Sequence, residues 1–579
     1  MSVTWRNSLS HIATGCSVSE NFASSLALLL VGSFSFFYNL DIALFEGSEG
    51  LYAHISREMQ LSGKWFQLTY HDEPYVNKPP LFFWILALFT RWFGENEIAL
   101  RLPGALFSLG TMMLTYFLGK SLFSRTAGFW AALVVATSHL MLWYGRRALF
   151  DSMQTFFITL ALFAWAKAHL QNAGRWWYPV VGVGMAFAVM TKGLHGAALP
   201  LVVIIGFLAL TRDSSPLKNR SVHTTVLLLF ALIAAYASLL SEDLVLHFNP
   251  FKGLKSAFAF SSHTATPGHP MYWYLLIIWF DFFPWIVLLP SSLIWFMSRH
   301  PLRLERSELF VLLWFLGLFT ALSLSTLKRE SYLMPLIPPL GLMIGRYCQS
   351  LYCSPASKGL ATMLLRAMLG LLAIAFVIAM FYGPGLLQKR WETSLSVFPP
   401  AFVMIVLSLA TLLAYAVIRS TIKLALGTVG ALAVSFSIAV VGLILPGIDD
   451  ATSARRASDT IKSFPHNPSE PLHLFSPRWP DNEDVVYYLN LEPALPRLAS
   501  EDMLMSKVRE AGHVLAVMDN TSFATLKRKP DLALELVREF RQRRNKNLYI
   551  LKITLAAAAD DREPGLSMLD VALPSDGLG

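Results

Sequence analysis

The sequence predicts a polytopic α-helical membrane protein that ends in a small soluble α/β domain, and three observations lead to that class. First, 54% of the 579 residues are hydrophobic and only 15% are charged, with a mean hydropathy of +0.49, whereas soluble domains carry about 25% charge. Second, apolar stretches long enough to cross roughly 30 Å of hydrocarbon recur from Asn21 to Pro446. A bilayer core offers backbone amides no water, so such stretches must be helical. Third, the composition changes after Pro446 to that of a soluble chain.

Thirteen spans fit the apolar pattern, at roughly 22–40, 103–123, 127–144, 152–170, 177–191, 196–211, 223–241, 272–296, 308–326, 332–348, 362–382, 400–418 and 424–446. The run Pro79–Phe93 is short, opens on two prolines and contains Arg91, and its Phe82, Phe83 and Trp84 suit an interface. Read as re-entrant or juxtamembrane, it leaves Lys120/Arg125, Lys167/Arg175, Arg212/Lys218/Arg220, Arg299/Arg303/Arg306 and Arg419/Lys423 in loops on one side. The positive-inside rule makes that side cytoplasmic. The N-terminus is then inside, on an uncleaved signal anchor, and segments 41–102, 145–151, 242–271 and 327–331 are outside.

The net charge of +9 belongs to these loops and defines no nucleic-acid face. Cys16, Cys348 and Cys353 give no disulfide framework. The expected domains are a transmembrane region over 1–446, with 41–102 its first outer loop, a periplasmic α/β domain over 447–565 and a disordered tail over 566–579. Within the α/β domain, strands are expected at Leu472–Phe475, Val485–Leu489, His513–Val517 and Leu548–Ile553. Helices are expected near Ser500–Ala511 and Pro530–Arg541.

The densest polar run, from Glu46 through Glu49, Tyr52, His54 and Arg57 to Glu58, directly follows the first span. A carboxylate at a partly dry membrane mouth can act as a general base; the plainer reading is a solvated surface helix. Lys78, before Pro79-Pro80, suits a lipid phosphate, against simple snorkelling. Arg146, Arg147 and Asp151 meet at a span boundary, where ionisable groups are functional candidates or helix anchors. Lys192, Lys328 and Arg329 fall on the outer side against the positive-inside bias, which points to an anionic partner such as a phosphate. His247, His263 and His269 share a loop without a metal-binding spacing, so they are weak metal ligands.

In their order along residues 25–345, these motifs resemble the aminoarabinose transferase branch of the membrane glycosyltransferases with the C-type fold, which also includes the protein O-mannosyltransferases. The family run Asp-Glu-x-x-Tyr-Ala-x-Ile-x-Arg-Glu-Met matches Ser48–Met59, Tyr-Phe-Glu-Lys-Pro matches Tyr75–Pro79, Thr-Lys-Gly matches Thr191–Gly193, and Lys-x-x-x-Tyr-x-x-Pro matches Lys328, Tyr332 and Pro335. The resemblance implies thirteen transmembrane helices, a periplasmic site and an undecaprenyl-phosphate-linked sugar donor. It assigns Lys78 and Lys192 to the donor phosphate and Asp151 to the arrangement of the site. Three positions depart from the family. Its principal Asp is Ser48, its nearby Arg is Leu51, and the Glu that contacts metal in that branch is Asn77.

The resulting expectation is an inverting transferase that moves a sugar from polyprenyl phosphate to a lipid A, other glycan or protein hydroxyl at the inner membrane. Glu49 is the base, with Glu46 the second choice, and Asp151 positions the acceptor or sugar. Lys78, Lys192, Arg147, Lys328 and Arg329 bind phosphate, while Tyr52, Arg57 and Tyr332 position substrate. No cofactor is assigned; a divalent metal would lack the family's Glu, which Asn77 replaces, and rely on His263 and His269. The competing readings are a lipid-linked-glycan transporter, which would carry polar residues along mid-helix, and a catalytically silent homologue.

Overall fold

A computed structural model describes residues 18–43, 47–71, 73–75, 77–239, 269–298, 304–325, 328–353, 360–391, 398–464, 471–475, 483–489, 491, 495–540 and 547–556. Glu46, His247, His263 and the expected tail lie outside the described residues. The chain divides into two compact units, Met1–Arg456 and Ala457–Gly579.

The first unit is helical. Helix α1 (Val18–Phe37) leads to α2 (Gly47–Ser62), a hairpin of β1 (Thr69–Tyr70) and β2 (Glu73–Pro74), and α3 (Leu81–Phe93). Then come α4 (Glu97–Leu122), α5 (Arg125–Thr137), α6 (His139–Tyr144), α7 (Phe150–Trp165), α8 (Trp177–Lys192), α9 (His195–Thr211) and α10 (Arg220–Leu239). The remaining helices are α11 (Trp273–Asp281), α12 (Leu289–Ser298), α13 (Arg306–Leu324), α14 (Ile337–Cys353), α15 (Leu360–Trp391), α16 (Pro400–Ile418), α17 (Ile422–Ile438) and α18 (Leu445–Thr452).

Local chemistry sets several starts. Asn96 caps α4 by accepting the Ala99 N–H, and Ser124 caps α5 by accepting the Ala127 N–H. Pro400 opens α16 at a position where no amide partner is needed.

Each of the thirteen expected spans contains helix. Among the described residues, five helical runs are long and apolar enough to cross a membrane, beginning at Glu97, Arg306, Leu360, Pro400 and Ile422. The pair Trp273–Asp281 and Trp285–Ser298, bent by 113°, makes a sixth. The chain is a multi-pass membrane protein. Other expected spans are broken rather than continuous: Ser138 is extended between α5 and α6, and a π-turn, Ala166–Leu170, extends α7. Where α5 breaks, the His139 N–H donates to the Phe283 carbonyl at 2.9 Å, and Trp285 Nε1 donates to Thr137 Oγ1 at 2.9 Å. Each break thus satisfies polar groups that hydrocarbon would leave stranded.

With its π-turn, α7 spans about 30 Å at 1.5 Å per residue, and charged groups mark both ends. Asp151 lies in its first turn. At the far end, His169 and Arg306 both pair with Asp213, at 3.4 and 2.6 Å. Helices α5 and α14 approach closely because Gly341 and Gly345 face Ala127 and Ala131; a Cβ at 341 would sit 2.7 Å from the Ala131 carbonyl oxygen.

In the second unit, α19 (Ala454–Lys462) leads from the boundary to β3 (His473–Phe475), α20 (Glu483–Leu489), β4 (Arg497–Leu498), α21 (Glu501–Ala511), β5 (His513–Asp519), α22 (Asn520–Leu526), β6 (Leu532–Phe540) and β7 (Leu548–Leu555). The sheet order is β4-β3-β5-β7-β6; β3 runs parallel to β4 and β5, while β7 is antiparallel to β5 and β6. Two expectations are corrected. Val485–Leu489 is helical, and Pro530–Arg541, expected as helix, contains strand β6. There Leu532 pairs with Leu555, and Leu534 with Ile553. Cross-strand packing outweighs the helix-favouring composition of that segment.

Replacing Gly341 with leucine should overpack the α5–α14 contact and destabilise the protein by about 1–3 kcal/mol. A lowered thermal unfolding midpoint in detergent is the expected result.

Candidate functional site

The site forms where the ends of several helices converge. Asp151 enters α7 just after the extended Leu149 N-cap, and Lys192 closes α8 immediately before Gly193. Gly193 has φ 97°, a turn that L side chains rarely adopt. Lys192 Nζ reaches Asp151 Oδ1 at 2.6 Å and lies 4.0 Å from the centre of the Tyr332 ring, a cation–π contact. Tyr332 comes from the 3₁₀ turn Glu330–Leu336 that precedes α14. The pair's side chains are about nine-tenths buried, 11% exposed each, so their attraction is only weakly screened.

Lys78, half-buried before α3, joins this group. Burial first, and then the charges of Lys192 and Arg329, push its ammonium down to about 8, against the opposing pull of Asp151. Lys78 thus has Lys192, Arg329 and Asp151 within electrostatic range, an excess of positive charge of the kind that would hold a phosphate. A phosphate arriving there would stabilise the protonated form.

The flanking contacts fix this arrangement. Tyr274 Oη donates to the Arg329 carbonyl at 3.1 Å, and Tyr144 Oη donates to Glu330 Oε2 at 2.9 Å. His195, at the exposed start of α9, is within electrostatic reach of Lys192 and Lys78. Its position three residues after Lys192 was the available sequence signal. Tyr144, Tyr274 and Glu330 carried no comparable signal, because their roles depend on distant helices meeting.

Glu49, expected as the base, has a different setting. It is wholly buried and forms a two-pronged ion pair with Arg101, whose Nε and Nη2 lie 2.9 and 3.0 Å from its two oxygens. The Ala148 N–H also donates to Glu49 Oε1 at 3.0 Å. Burial raises the proton affinity of Glu49, but Arg101, Arg147 and the Ala148 amide more than reverse this and hold it below the usual carboxylate range. Arg101 also donates to the carbonyls of Leu40, Ile42 and Ala43. A carboxylate so thoroughly engaged is a scaffold element and a weak proton acceptor.

Arg146 is a second clamp, donating to the carbonyls of Ser35, Tyr38 and Asn39. Buried Arg147 sits 4.5 Å from the centre of the Trp143 ring. Tyr52 packs edge-on to Phe150 at 4.6 Å and to Phe83 at 5.8 Å. Arg57 pairs with Glu95 at 3.1 Å, and Lys328 Nζ donates to the Ser325 carbonyl. The structure therefore gathers Lys78, Asp151, Lys192, Arg329 and Tyr332. It gives Glu49, Tyr52, Arg57 and Lys328 other partners. The metal position implied by the resemblance does not fit this chain: exposed Asn77 offers only an amide, and His269 stacks flat on Trp273, centroids 4.1 Å apart.

In fold and in the order of these motifs the chain resembles the membrane glycosyltransferases with the C-type fold. The structure is similar to the crystal structure of ArnT from Cupriavidus metallidurans bound to undecaprenyl phosphate, with a TM-score of 0.68 and 20% identity, covering 93% of this chain and 98% of that one. Residues 77–238 match the family described as dolichyl-phosphate-mannose-protein mannosyltransferase. The chain is also 29% identical over 336 residues to undecaprenyl phosphate-alpha-4-amino-4-deoxy-L-arabinose arabinosyl transferase 2 of Proteus mirabilis, covering 56% of this chain and 58% of that protein. It is 29% identical over 320 residues to an uncharacterized protein of Aquifex aeolicus, covering 54% of this chain and 62% of that one. The matched region thus spans about 60% of the length of these relatives. The resemblance to the aminoarabinose transferases expected from the sequence is borne out.

Glu49→Gln should cost about 3–5 kcal/mol, because it leaves the buried Arg101 charge without its partner. A fall in the unfolding midpoint is the expected outcome. A catalytic role alone would leave the midpoint in place and remove turnover.

Proposed function

We propose that the protein is an inverting glycosyltransferase that moves a sugar from a polyprenyl phosphate to a hydroxyl acceptor. The observation that carries this reading is Lys78 within electrostatic range of Lys192, Arg329 and Asp151, with Lys192 paired to Asp151 at 2.6 Å, in a fold similar to that of ArnT. The two lysines and Arg329 bind the donor phosphate and stabilise its charge as the bond from the anomeric carbon to the phosphate oxygen breaks. That leaving group departs as an anion and needs little protonation. The acceptor oxygen attacks the opposite face of the anomeric carbon, and its proton passes to a carboxylate.

Asp151 is the best candidate for that carboxylate. Its ion pair with Lys192 can open when phosphate engages the ammonium, freeing an oxygen for the acceptor. This reading replaces Glu49 as the base and accommodates Ser48, since the acid sits on a different helix from the family's principal Asp. Tyr332, beneath Lys192, holds the ammonium in place. The similarity to a fold that binds undecaprenyl phosphate in ArnT supports a polyprenyl donor. Thirteen crossings, an inner-membrane location and a periplasmic site complete the proposal, with the N-terminus cytoplasmic. Lipid A, another envelope glycan and protein remain the acceptor classes.

With donor and acceptor supplied in detergent or nanodiscs, Asp151→Asn should slow transfer by about two to four orders of magnitude and preserve donor binding. Wild-type transfer rates in the variant would overturn the assignment. Donor affinity should also be greatest where Lys78 is protonated and should weaken as the pH rises through about 8. In Lys78→Arg, whose guanidinium stays charged, that decline should disappear; equilibrium binding of polyprenyl phosphate between pH 6 and 10 measures it.

A further inference from the structure

Apart from the phosphate-facing site, the first loop contains a second polar cluster. His54 and Glu58 lie one turn apart on α2, and His71 forms the turn of the β1–β2 hairpin with φ 56°. Each contributes one donor atom, and the three atoms all lie within 4.8 Å of one another. His54 is buried, and Glu58 and His71 are half-buried. The His54 and His71 rings are 4.5 Å apart, centroid to centroid.

We propose that His54, Glu58 and His71 form a divalent transition-metal site, best suited to zinc, that fastens the hairpin to α2. Two imidazoles and one carboxylate are a donor set that zinc favours. Tetrahedral zinc spaces its ligand atoms roughly 3.4 Å apart, so a modest contraction of the cluster completes three corners. The fourth is left for water or an exchangeable ligand.

The surroundings already orient these groups. Thr69 Oγ1 donates to Glu58 Oε2 at 2.8 Å, and the His71 N–H donates to Glu58 Oε1 at 2.7 Å. Such supporting hydrogen bonds are what metal-binding carboxylates require. His54 Nε2 lies 2.8 Å from Glu58 Oε1, and an ionised carboxylate only accepts. This nitrogen and that oxygen face each other across the position an ion would take, and a metal would replace the proton they now share.

The site is separate from Asn77 and His269, and it goes beyond the proposed sugar transfer. Its effect on that reaction would be indirect. The Tyr75 N–H donates to the Leu68 carbonyl at 2.8 Å across the hairpin, and Lys78 follows three residues later. A metal holding His71 to α2 would shorten the motions available to Lys78.

The test is metal binding, independent of turnover. Full-length protein, purified and stripped with chelator, is titrated with cobalt(II) as a spectroscopic substitute for zinc. About one equivalent should bind with visible absorption typical of low-coordinate cobalt, and zinc should displace it. His54→Gln and His71→Asn should each weaken binding at least tenfold, a loss above the low end of that for an outer-sphere partner, while His269→Asn should not. In the wild type, added zinc should protect His54 and His71 from diethyl pyrocarbonate, with the modified residues mapped by mass spectrometry. Failure of the wild type to bind cobalt stoichiometrically would overturn the site. So would equal modification of both histidines with and without zinc, or unchanged binding in both variants. None of these outcomes bears on sugar transfer.

Discussion

The Arg101–Glu49 ion pair is the contact on which the site end of the first unit depends. Arg101, on α4, reaches backbone carbonyls after α1, the carboxylate at the start of α2 and, through that carboxylate, the amide of Ala148 before α7. One guanidinium thus ties together segments far apart in sequence. Such a pair gains from its low-dielectric surroundings only because nearly every donor and lone pair is used. The Arg146 clamp repeats this chemistry on the neighbouring residues Ser35, Tyr38 and Asn39.

This scaffolding places chemistry beside it. The segment containing Arg146, Arg147 and Ala148 is fixed just before Asp151, so the first turn of α7 has a defined position. Lys192 arrives from the end of α8 and Tyr332 from the turn before α14. Their mutual contacts then create a site from elements that are individually ordinary helix ends. The charge at the opposite end of α7, around Asp213, belongs to a different face and takes no part in this arrangement.

Hydrophobic periodicity made the helical class and the locations of the spans legible, because membrane solvent physics acts on each segment locally. Breaks within spans were less visible. The Ser138 interruption is stabilised by a carbonyl from Phe283, and nothing near Ser138 announces a partner so distant in the chain. The same limit applied to Glu49: its motif showed an acid at a membrane mouth, while Arg101 lay outside that motif. Lys78, Asp151 and Lys192 were identifiable by residue type and order. Their convergence with Arg329 required the tertiary structure. The metal-binding candidate was missed because His54 and Glu58 have the spacing of a helix face, but the third donor comes from a hairpin turn. In the second unit, β6 was misread because its partner strand β7 supplies the reason for its conformation.

The paired interruptions at Ser138 and Phe283 have a consequence for substitution within the fold. The His139 amide and Phe283 carbonyl satisfy each other, while Thr137 receives the Trp285 indole. Straightening one helix by substitution would strand a polar group on the other in a medium without solvent to accept it. The two irregularities are consequently coupled, and a substitution at one is felt at the other.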